Sequence, residues 1–302
     1  MPNVVVNEVS LRDGLQMHKP FIPTEGKLRL LNALLQAGVR SAEVASFVSP
    51  KAVPQMADAP EICAALPDRD QVEYSVLIPN LKGLERALDA SCTNVNLVLS
   101  ATETMNQKNI GMSLQQTREV CAGTVQRANS AGCRADVYIA VAYECPYDGP
   151  VQPEQVLRLA AHMLDAGARR IIIADTIGAG NPVSTRALFD VLLHRFDPTY
   201  FACHFHDTRA MALANVWEAI QAGVRRFDSA VGGLGGCPFS PGASGNLATE
   251  DLVFFLHQCG FQSGVDLSGV VDAVTCAEEI TARKLGGKVM PYLRANSECP
   301  VD

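Results

Sequence analysis

Residues 153–176, PEQVLRLAAHMLDAGARRIIIADT, combine a helical segment, a glycine and an apolar strand. The amphipathic run predicts a helix over Pro153–Leu164. Gly167 follows Ala166, and a glycine at this point accepts the left-handed conformation that ends a helix. The β-branched run then predicts a strand over Arg170–Thr176. A helix, a glycine and a strand in this order are typical of a repeating βα unit.

The same unit recurs along the chain, with Ala-Gly pairs also at residues 37–38, 131–132 and 222–223. Eight segments have strand character. They are Val4–Val9, Ala42–Phe47, Tyr74–Ile78, Asn94–Leu99, Asp136–Tyr143, Arg170–Thr176, Tyr200–Asp207 and Arg226–Val231. Six amphipathic segments between them predict helices. They are Glu25–Gln36, Leu84–Ala90, Leu114–Ala128, Pro153–Leu164, Val183–Arg195 and Ala212–Ala222.

This alternation suits two α/β architectures, an open doubly wound sheet and a closed (β/α)8 TIM barrel. Eight strands, and the absence of a G-x-G-x-x-G motif after the first one, favour the barrel. We therefore expect one domain over residues 1–302, with the barrel at about residues 3–262. Beyond it we expect a C-terminal helix, Leu267–Lys284, and a loose tail, Leu285–Asp302.

Composition restricts the classes of partner. The net charge of −7 and the lack of a run of like charges argue against nucleic-acid binding. No apolar run is long enough for a membrane span, and the N-terminus resembles neither a signal nor a transit peptide. The ten cysteines form no C-x-x-C pair, which indicates a reducing, cytoplasmic setting.

Reactive residues follow several predicted strands, where the catalytic groups of a barrel lie. Arg12 and Asp13 come after the first strand and suit a metal site with an anionic substrate. Glu43, at the end of the second strand, is either catalytic or a partner that holds Arg12, and we favour the partner. Asp175 ends the sixth strand and either faces the barrel mouth or caps the next turn, or does both.

Two histidines at the end of the seventh strand predict a metal site. His204 and His206 face the same side because strand side chains alternate. The glycine-rich segment that follows the eighth strand predicts a flexible loop rather than a helix, and it contains Cys237 and Asn246. A phosphate-binding loop is the alternative, but the Walker lysine is absent. We expect the other cysteines to be small core residues.

Four of these residues form a mixed oxygen and nitrogen ligand set: Asp13, His204, His206 and Asn246. Such a set suits Mg²⁺ or Mn²⁺ with positions left open for substrate oxygens. Zinc is disfavoured because no cysteine is placed as a ligand.

From about Val6 to Asp266, the sequence resembles the 3-hydroxy-3-methylglutaryl-CoA (HMG-CoA) lyase family. The resemblance rests on short motifs that occur in the same order. They are RDGLQ at 12–16, SFVSPK at 46–51, NLKG at 80–83, CPYDG at 145–149, DTIG at 175–178, HFHDT at 204–208, GLGGCP at 233–238 and GNLATED at 245–251. The RDG and HxH motifs also resemble isopropylmalate synthase and the carboxyltransferase domain of pyruvate carboxylase, whereas GLGGCP is specific to the lyases.

The resemblance implies a role for each matched residue. Asp13, His204, His206 and Asn246 match the family's metal ligands, and Arg12 matches the arginine that stabilises the enolate. Glu43 matches the acid that orients this arginine, and Cys237 matches the catalytic cysteine of a mobile loop. His204 also matches a proton-transfer histidine, and Asp175 matches a further acid of the catalytic site.

The family's reaction would cleave HMG-CoA to acetyl-CoA and acetoacetate, a step of leucine degradation, and the family implies a homodimer. Three departures leave the acyl chain open: Ala52, Tyr143-Glu144 and Arg209-Ala210-Met211. A longer-branched substrate or citramalyl-CoA is one alternative. A condensing enzyme of the isopropylmalate synthase type and a non-catalytic scaffold are two more. For CoA we propose Asn80, Lys82 and Lys108, which we expect in loops.

Overall fold

Eight parallel strands close into a barrel in the computed structural model, which describes residues 3–67, 70–236 and 245–296. Its strands are β1 (Val5–Glu8), β2 (Ser41–Ser46), β3 (Glu73–Leu77), β4 (Asn94–Ser100), β5 (Arg134–Ala140), β8 (Arg170–Asp175), β9 (Phe201–Phe205) and β10 (Arg226–Ser229). Each strand pairs with its sequence neighbour in the barrel, and β1 pairs with both β2 and β10. The TIM barrel and all eight strands are confirmed, with strand ends shifted by at most three residues.

Helices surround the barrel. They are α1 (Thr24–Gln36), α2 (Ala59–Ala64), α3 (Leu81–Asp89), α4 (Glu103–Ile110), α5 (Leu114–Ser130), α6 (Pro153–Asp165), α7 (Pro182–Leu193), α8 (Ala212–Gln221), α9 (Thr249–Gln258), α10 (Leu267–Thr281) and α11 (Met290–Asn296). All six helices predicted between the strands are present. None of the helices in the described part of the chain has both the length and the apolar character needed to cross a membrane.

The glycines that follow the helices have the conformation that the sequence indicated. Gly38, Gly132, Gly167 and Gly223 all have positive φ angles, between 74° and 100°. At Gly38 a side chain is excluded as well, because a Cβ there would lie 2.3 Å from the carbonyl oxygen of Gly264. These glycines therefore end the helices and return the chain to the barrel.

Three predictions about local structure are wrong. The segment after residue 285 is not wholly a loose tail, because it contains α11. Lys82 and Lys108 lie in α3 and α4 rather than in loops, and Asn80 is the N-cap of α3, where its Oδ1 accepts a hydrogen bond from Gly83 N at 3.1 Å. The glycine-rich segment also begins with one 3₁₀ turn, Val231–Gly233. A short hairpin, β6 (Glu144–Cys145) with β7 (Gly149–Pro150), is an addition that the sequence did not indicate.

A cluster of charged side chains fills the barrel at the amino-terminal ends of its strands. Glu73 forms ion pairs with Arg169, Arg170 and Arg226 at 2.6–3.0 Å, and Asp136 pairs with Arg169 and Arg170. Side chains at this end of a barrel contribute to stability rather than to catalysis. The candidate site lies at the opposite end of the strands.

Candidate active site

The first site residues lie on a tight turn directly after β1. Residues Ser10–Gly14 form a π-helical turn that contains Arg12 and Asp13, and all five are buried. Glu8, the last residue of β1, holds the turn because its carboxylate accepts a hydrogen bond from Ser10 N at 2.8 Å and another from Thr249 Oγ1 at 2.6 Å. Burial raises the pKa of Glu8 to about 7, although these hydrogen bonds oppose the shift.

Arg12 is oriented by acids on two sides. Its Nε donates to Glu43 Oε2 on β2, and its Nη1 donates to Asp13 Oδ1 at 2.5 Å. The other oxygen of Glu43 accepts a hydrogen bond from Asn96 Nδ2 on β4 at 2.7 Å. Glu43 is fully buried and lies within β2 rather than at its end. The contact agrees with the prediction that Glu43 holds Arg12.

The two histidines lie side by side, His204 on β9 and His206 just beyond its end. Their Nε2 atoms are 3.1 Å apart, and both rings are buried. His204 Nδ1 lies 3.1 Å from Asp228 Oδ2 on β10, and this carboxylate also accepts a hydrogen bond from Tyr138 OH at 2.7 Å. If Nδ1 donates to Asp228, the lone pair of His204 Nε2 is directed into the site, as in histidines that bind metals.

Asp13 and Asn246 complete the cluster. Asp13 Oδ2 lies 3.9 Å from His206 Nε2, and one ligand atom from each of Asp13, His204 and His206 lies within 4.8 Å of the others. Asn246 Nδ2 donates to Asp13 Oδ2 at 2.8 Å, while its buried Oδ1 has no hydrogen-bond partner among the described residues. A buried amide oxygen without a partner is costly unless a ligand satisfies it. The residues therefore fit a divalent cation.

The pKa shifts agree with this arrangement. Burial of the Asp13 carboxyl opposes ionisation, but the charge of Arg12 outweighs burial and holds the pKa of Asp13 well below its usual range. Burial and the neighbouring His204 lower the pKa of His206 to about 4. Asp13 is thus an anion and His206 a neutral imidazole at neutral pH, which are the forms that bind metals.

Asp175 lies at the end of β8 and caps the loop that follows. Its two carboxylate oxygens accept hydrogen bonds from Ala179 N at 2.8 Å and from Gly180 N at 2.9 Å. Burial raises the pKa of Asp175 to about 6, and these hydrogen bonds oppose the shift. The capping role that the sequence allowed is present, while a catalytic role for Asp175 stays a prediction.

The remaining predicted residues lie apart from this cluster or outside the described chain. Cys237 lies outside the described residues. Lys108 Nζ is 4.9 Å from the ring centre of Tyr147, and Lys82 is exposed on α3. The prediction that the other cysteines are core residues holds for Cys63, Cys121, Cys133, Cys145 and Cys203, which are buried. It is wrong for Cys259, which is exposed at the end of α9.

The sequence reasoning missed two acids that position site residues, Glu8 and Asp228. Each is fully or almost fully buried at an inward-facing place near a strand end. The sequence signal that could have identified them is an acidic residue within an otherwise apolar strand. It also missed a groove beside the glycine-rich segment, which is lined by Arg283, Lys284 and Arg294.

The chain is similar to known proteins over most of its length. The HMGL-like family model matches residues 3–276. Hydroxymethylglutaryl-CoA lyase from Pseudomonas mevalonii is 43% identical over 89% of this chain and 90% of its own length. A 3-hydroxy-3-isohexenylglutaryl-CoA/hydroxy-methylglutaryl-CoA lyase from Pseudomonas aeruginosa is 41% identical over 88% and 89%. The crystal structure of hydroxymethylglutaryl-CoA lyase from Pseudomonas aeruginosa superposes with a TM-score of 0.94 at 38% identity, covering 98% of this chain and 99% of that one. The chain belongs to the HMGL-like family.

Proposed function

We propose that the chain is a metal-dependent carbon–carbon lyase that cleaves HMG-CoA to acetyl-CoA and acetoacetate. The observation that carries the proposal is the buried cluster of Asp13, His204 and His206. It lies beside Arg12, a cation that matches the enolate-stabilising arginine of the family. The relatives named above support the choice of substrate, since lyases for HMG-CoA match nearly the whole chain.

The cluster suits the first part of the reaction. Asp13, His204, His206 and Asn246 would hold the cation, which supplies a Lewis acid for the hydroxyl group of the substrate. The tertiary hydroxyl must lose its proton before the C2–C3 bond breaks. Asp13 and His204 are the two groups within the cluster that can accept it.

Arg12 suits the second part. Cleavage moves negative charge onto the thioester oxygen, and a fixed cation stabilises this charge without reorganising. Glu43 and Asp13 fix the guanidinium, so Arg12 is oriented before substrate binds. The acetyl-CoA enolate then needs a proton, and we assign its delivery to Cys237 or His204. Glu43 acts through Arg12 as a positioning residue, and Asp175 acts in the same way on the loop after β8.

A pair of charged residues at the rim of the barrel is relevant to which acyl chain the substrate carries. Arg209 Nη2 lies 3.6 Å from Glu144 Oε1, and both side chains are substantially exposed. A pair of this kind contributes little to stability, so a substrate carboxylate could displace Glu144. Substrates with a longer branch, or citramalyl-CoA, therefore form the second set to be assayed.

The phosphate groups of CoA are anionic, so their binding site needs cationic side chains. Our sequence-based assignment is Asn80, Lys82 and Lys108, which follow β3 and β4 at the carboxyl end of the barrel. The groove of Arg283, Lys284 and Arg294 presents more positive charge and adjoins Gly233 and Gly235. We propose that this groove binds the phosphates, and that Lys82→Ala raises KM for the substrate less than Lys284→Ala does.

Four further properties are proposed. The eight described cysteines form no disulfide bond with one another, which suits a cytoplasmic location. The mixed oxygen and nitrogen ligand set suits Mg²⁺ or Mn²⁺. A homodimer and a role in leucine degradation follow from the resemblance, and light scattering tests the dimer directly.

The test is release of acetyl-CoA from HMG-CoA, measured with Mg²⁺, with EDTA, and for Cys237→Ala. Rapid release that needs metal and collapses in the variant supports the proposal. If the metal-loaded wild type releases no acetyl-CoA, HMG-CoA is the wrong substrate. Free CoA formed from acetyl-CoA and a 2-oxo acid would instead indicate a condensing enzyme, and no turnover of any CoA ester would indicate a scaffold.

A further inference from the structure

Two cysteines face each other outside the active site. Cys63 lies near the end of α2, and Cys92 lies in the turn between α3 and β4, 29 positions further along the chain. Their sulfur atoms are 3.6 Å apart. The two sulfur atoms are not joined by a disulfide bond in this structure.

The surrounding backbone fixes both residues. Cys63 is helical and fully buried. The turn that contains Cys92 is closed by a hydrogen bond from Cys92 N to Ala87 O at 2.9 Å, and Ser91 adopts a left-handed φ of 60°. Since neither segment is free to swing away, the proximity of the two sulfur atoms is built into the fold.

The two thiols also differ in access. Cys92 is partly exposed, whereas Cys63 is buried. A reagent from solvent therefore meets Cys92 first, and Cys63 is the nearest thiol to resolve the adduct. An accessible thiol beside a second one is the usual arrangement at redox-sensitive sites.

The other described cysteines have different neighbours. Cys145 Sγ lies 3.1 Å from Thr102 Oγ1, and Cys121 Sγ lies 3.8 Å from the carbonyl oxygen of Val98. Burial raises the pKa of Cys121 to about 12, which makes that thiol a poor nucleophile. These cysteines behave as small core residues, in contrast to the facing pair.

We propose that Cys63 and Cys92 are a modification site at which a low-molecular-weight disulfide, such as oxidised glutathione, forms an internal disulfide. The thiolate of Cys92 attacks one sulfur of the reagent, forms a mixed disulfide and expels one thiolate. The thiolate of Cys63 then attacks Cys92 Sγ and expels the second thiolate. The two protein thiols are oxidised, and one molecule of the reagent is reduced to two thiols.

The bond would join two parts of the barrel wall that support Arg12. Helix α2 follows β2, which contains Glu43, and Cys92 precedes β4, which contains Asn96. Because the bond closes a loop of about 30 residues, it restricts the unfolded chain. We expect the midpoint of thermal unfolding to rise by roughly 5 °C on oxidation.

The experiment treats the full chain with oxidised glutathione, blocks free thiols and maps tryptic peptides without reduction. The diagnostic product joins residues 52–69, which contain Cys63, to residues 87–108, which contain Cys92. Its mass is lower by about 2 Da than the sum of the two peptides. The same treatment of Cys92→Ser should give neither the product nor the thermal shift, while Cys259→Ser, a change at an exposed thiol, should give both.

Two outcomes would overturn the proposal. One is that Cys63 and Cys92 of the wild type both stay reduced under conditions that fully oxidise Cys259. The other is a mixed disulfide between glutathione and Cys92 from which Cys63 does not expel the glutathione. Neither outcome depends on the lyase activity, so the proposed function is tested separately.

Discussion

At the scale of single residues, the positive charge of Arg12 is held in a fixed orientation by its neighbours. Its guanidinium is bound by Glu43 and Asp13, and Asn96 in turn holds Glu43. A buried cation with two acidic partners has a defined orientation, and its donors can be directed at a developing oxyanion. The geometry therefore separates Arg12, which we propose contacts substrate, from Glu43, which orients Arg12.

Glu43→Gln should lower kcat while leaving metal affinity unchanged. The amide keeps the shape but weakens the hold on Arg12, so stabilisation of the enolate is lost, and we expect a decrease in kcat of about 100-fold. Steady-state kinetics and Mn²⁺ titration by electron paramagnetic resonance measure the two effects. Glu119→Gln, at an exposed position on α5, is the control. An unchanged kcat in Glu43→Gln would show that Arg12 needs no such support.

The site residues that could be predicted from sequence are those with a pattern at a strand end. The spacing of His204 and His206 placed both rings on one face, and Asp13 followed an apolar strand. Asp228 and Glu8 carried no such pattern. Each has a partner far away in sequence: Glu8 and Thr249 are 241 positions apart, and Asn7 and Asp228 are 221 positions apart. Such pairings follow from closure of the barrel and are not visible in a local stretch.

At the scale of elements, the charged cluster at the amino-terminal end of the strands should make the barrel sensitive to acid. The arginine charges outweigh burial of the Glu73 carboxyl and lower its pKa to about 2. A carboxyl whose pKa is lower in the folded chain stabilises the fold above its unfolded pKa, about 4.5, and loses this contribution as pH falls toward 2.

Glu73→Gln should therefore destabilise the chain at pH 7 by about 2 kcal/mol, and the difference from wild type should shrink between pH 4.5 and pH 2. Urea unfolding at a series of pH values measures this difference in the free energy of unfolding. Glu25→Gln, at an exposed position of α1, provides the comparison. A difference that stays constant across this range would mean that the charge of Glu73 does not stabilise the barrel.

The C-terminal segment depends on contacts with α9. Asp251 accepts hydrogen bonds from Lys288 N and Val289 N, both at 2.8 Å, and Glu250 accepts one from Gly287 N at 2.6 Å. Asp251→Ala should speed amide exchange at residues 287–296 by at least about tenfold, with little change in the barrel strands. Hydrogen exchange with mass spectrometry measures this, and equal protection in the variant would contradict the anchoring role.

These contacts also explain which elements sequence could predict. The strands and longer helices repeat a local pattern that ends in glycine, so the local sequence is enough to predict them. Helices α2 and α11 have only six and seven residues, too few for a clear period, and α11 is held by acids on another helix. Tertiary contacts fix such elements, and the local sequence does not reveal them.

At the scale of the whole molecule, the candidate metal-binding residues come from distant parts of the chain. Strand β1 closes the barrel against β10, and the cluster combines Asp13 from the turn after β1 with His204 and His206 from the end of β9. A ligand that binds only this assembled state stabilises the whole fold by mass action.

Mn²⁺ at 100 times its Kd should raise the midpoint of thermal unfolding by roughly 5 °C. The same concentration should have no such effect on His206→Ala, which lacks one of the proposed ligands. Differential scanning calorimetry with and without EDTA measures the shift. An equal rise in wild type and variant would place the stabilising ion elsewhere.

The most direct test of the account is a titration of Mn²⁺ into the metal-stripped chain in which bound metal and acetyl-CoA release from HMG-CoA are measured in the same samples. We expect no release without metal, and a rate that rises in proportion to occupancy until one ion is bound per chain. His206→Ala should show weaker binding and a corresponding loss of rate. Full activity in the stripped chain, or saturation of the metal with no acetyl-CoA formed, would contradict the assignment of this cluster as the centre of a metal-dependent HMG-CoA lyase.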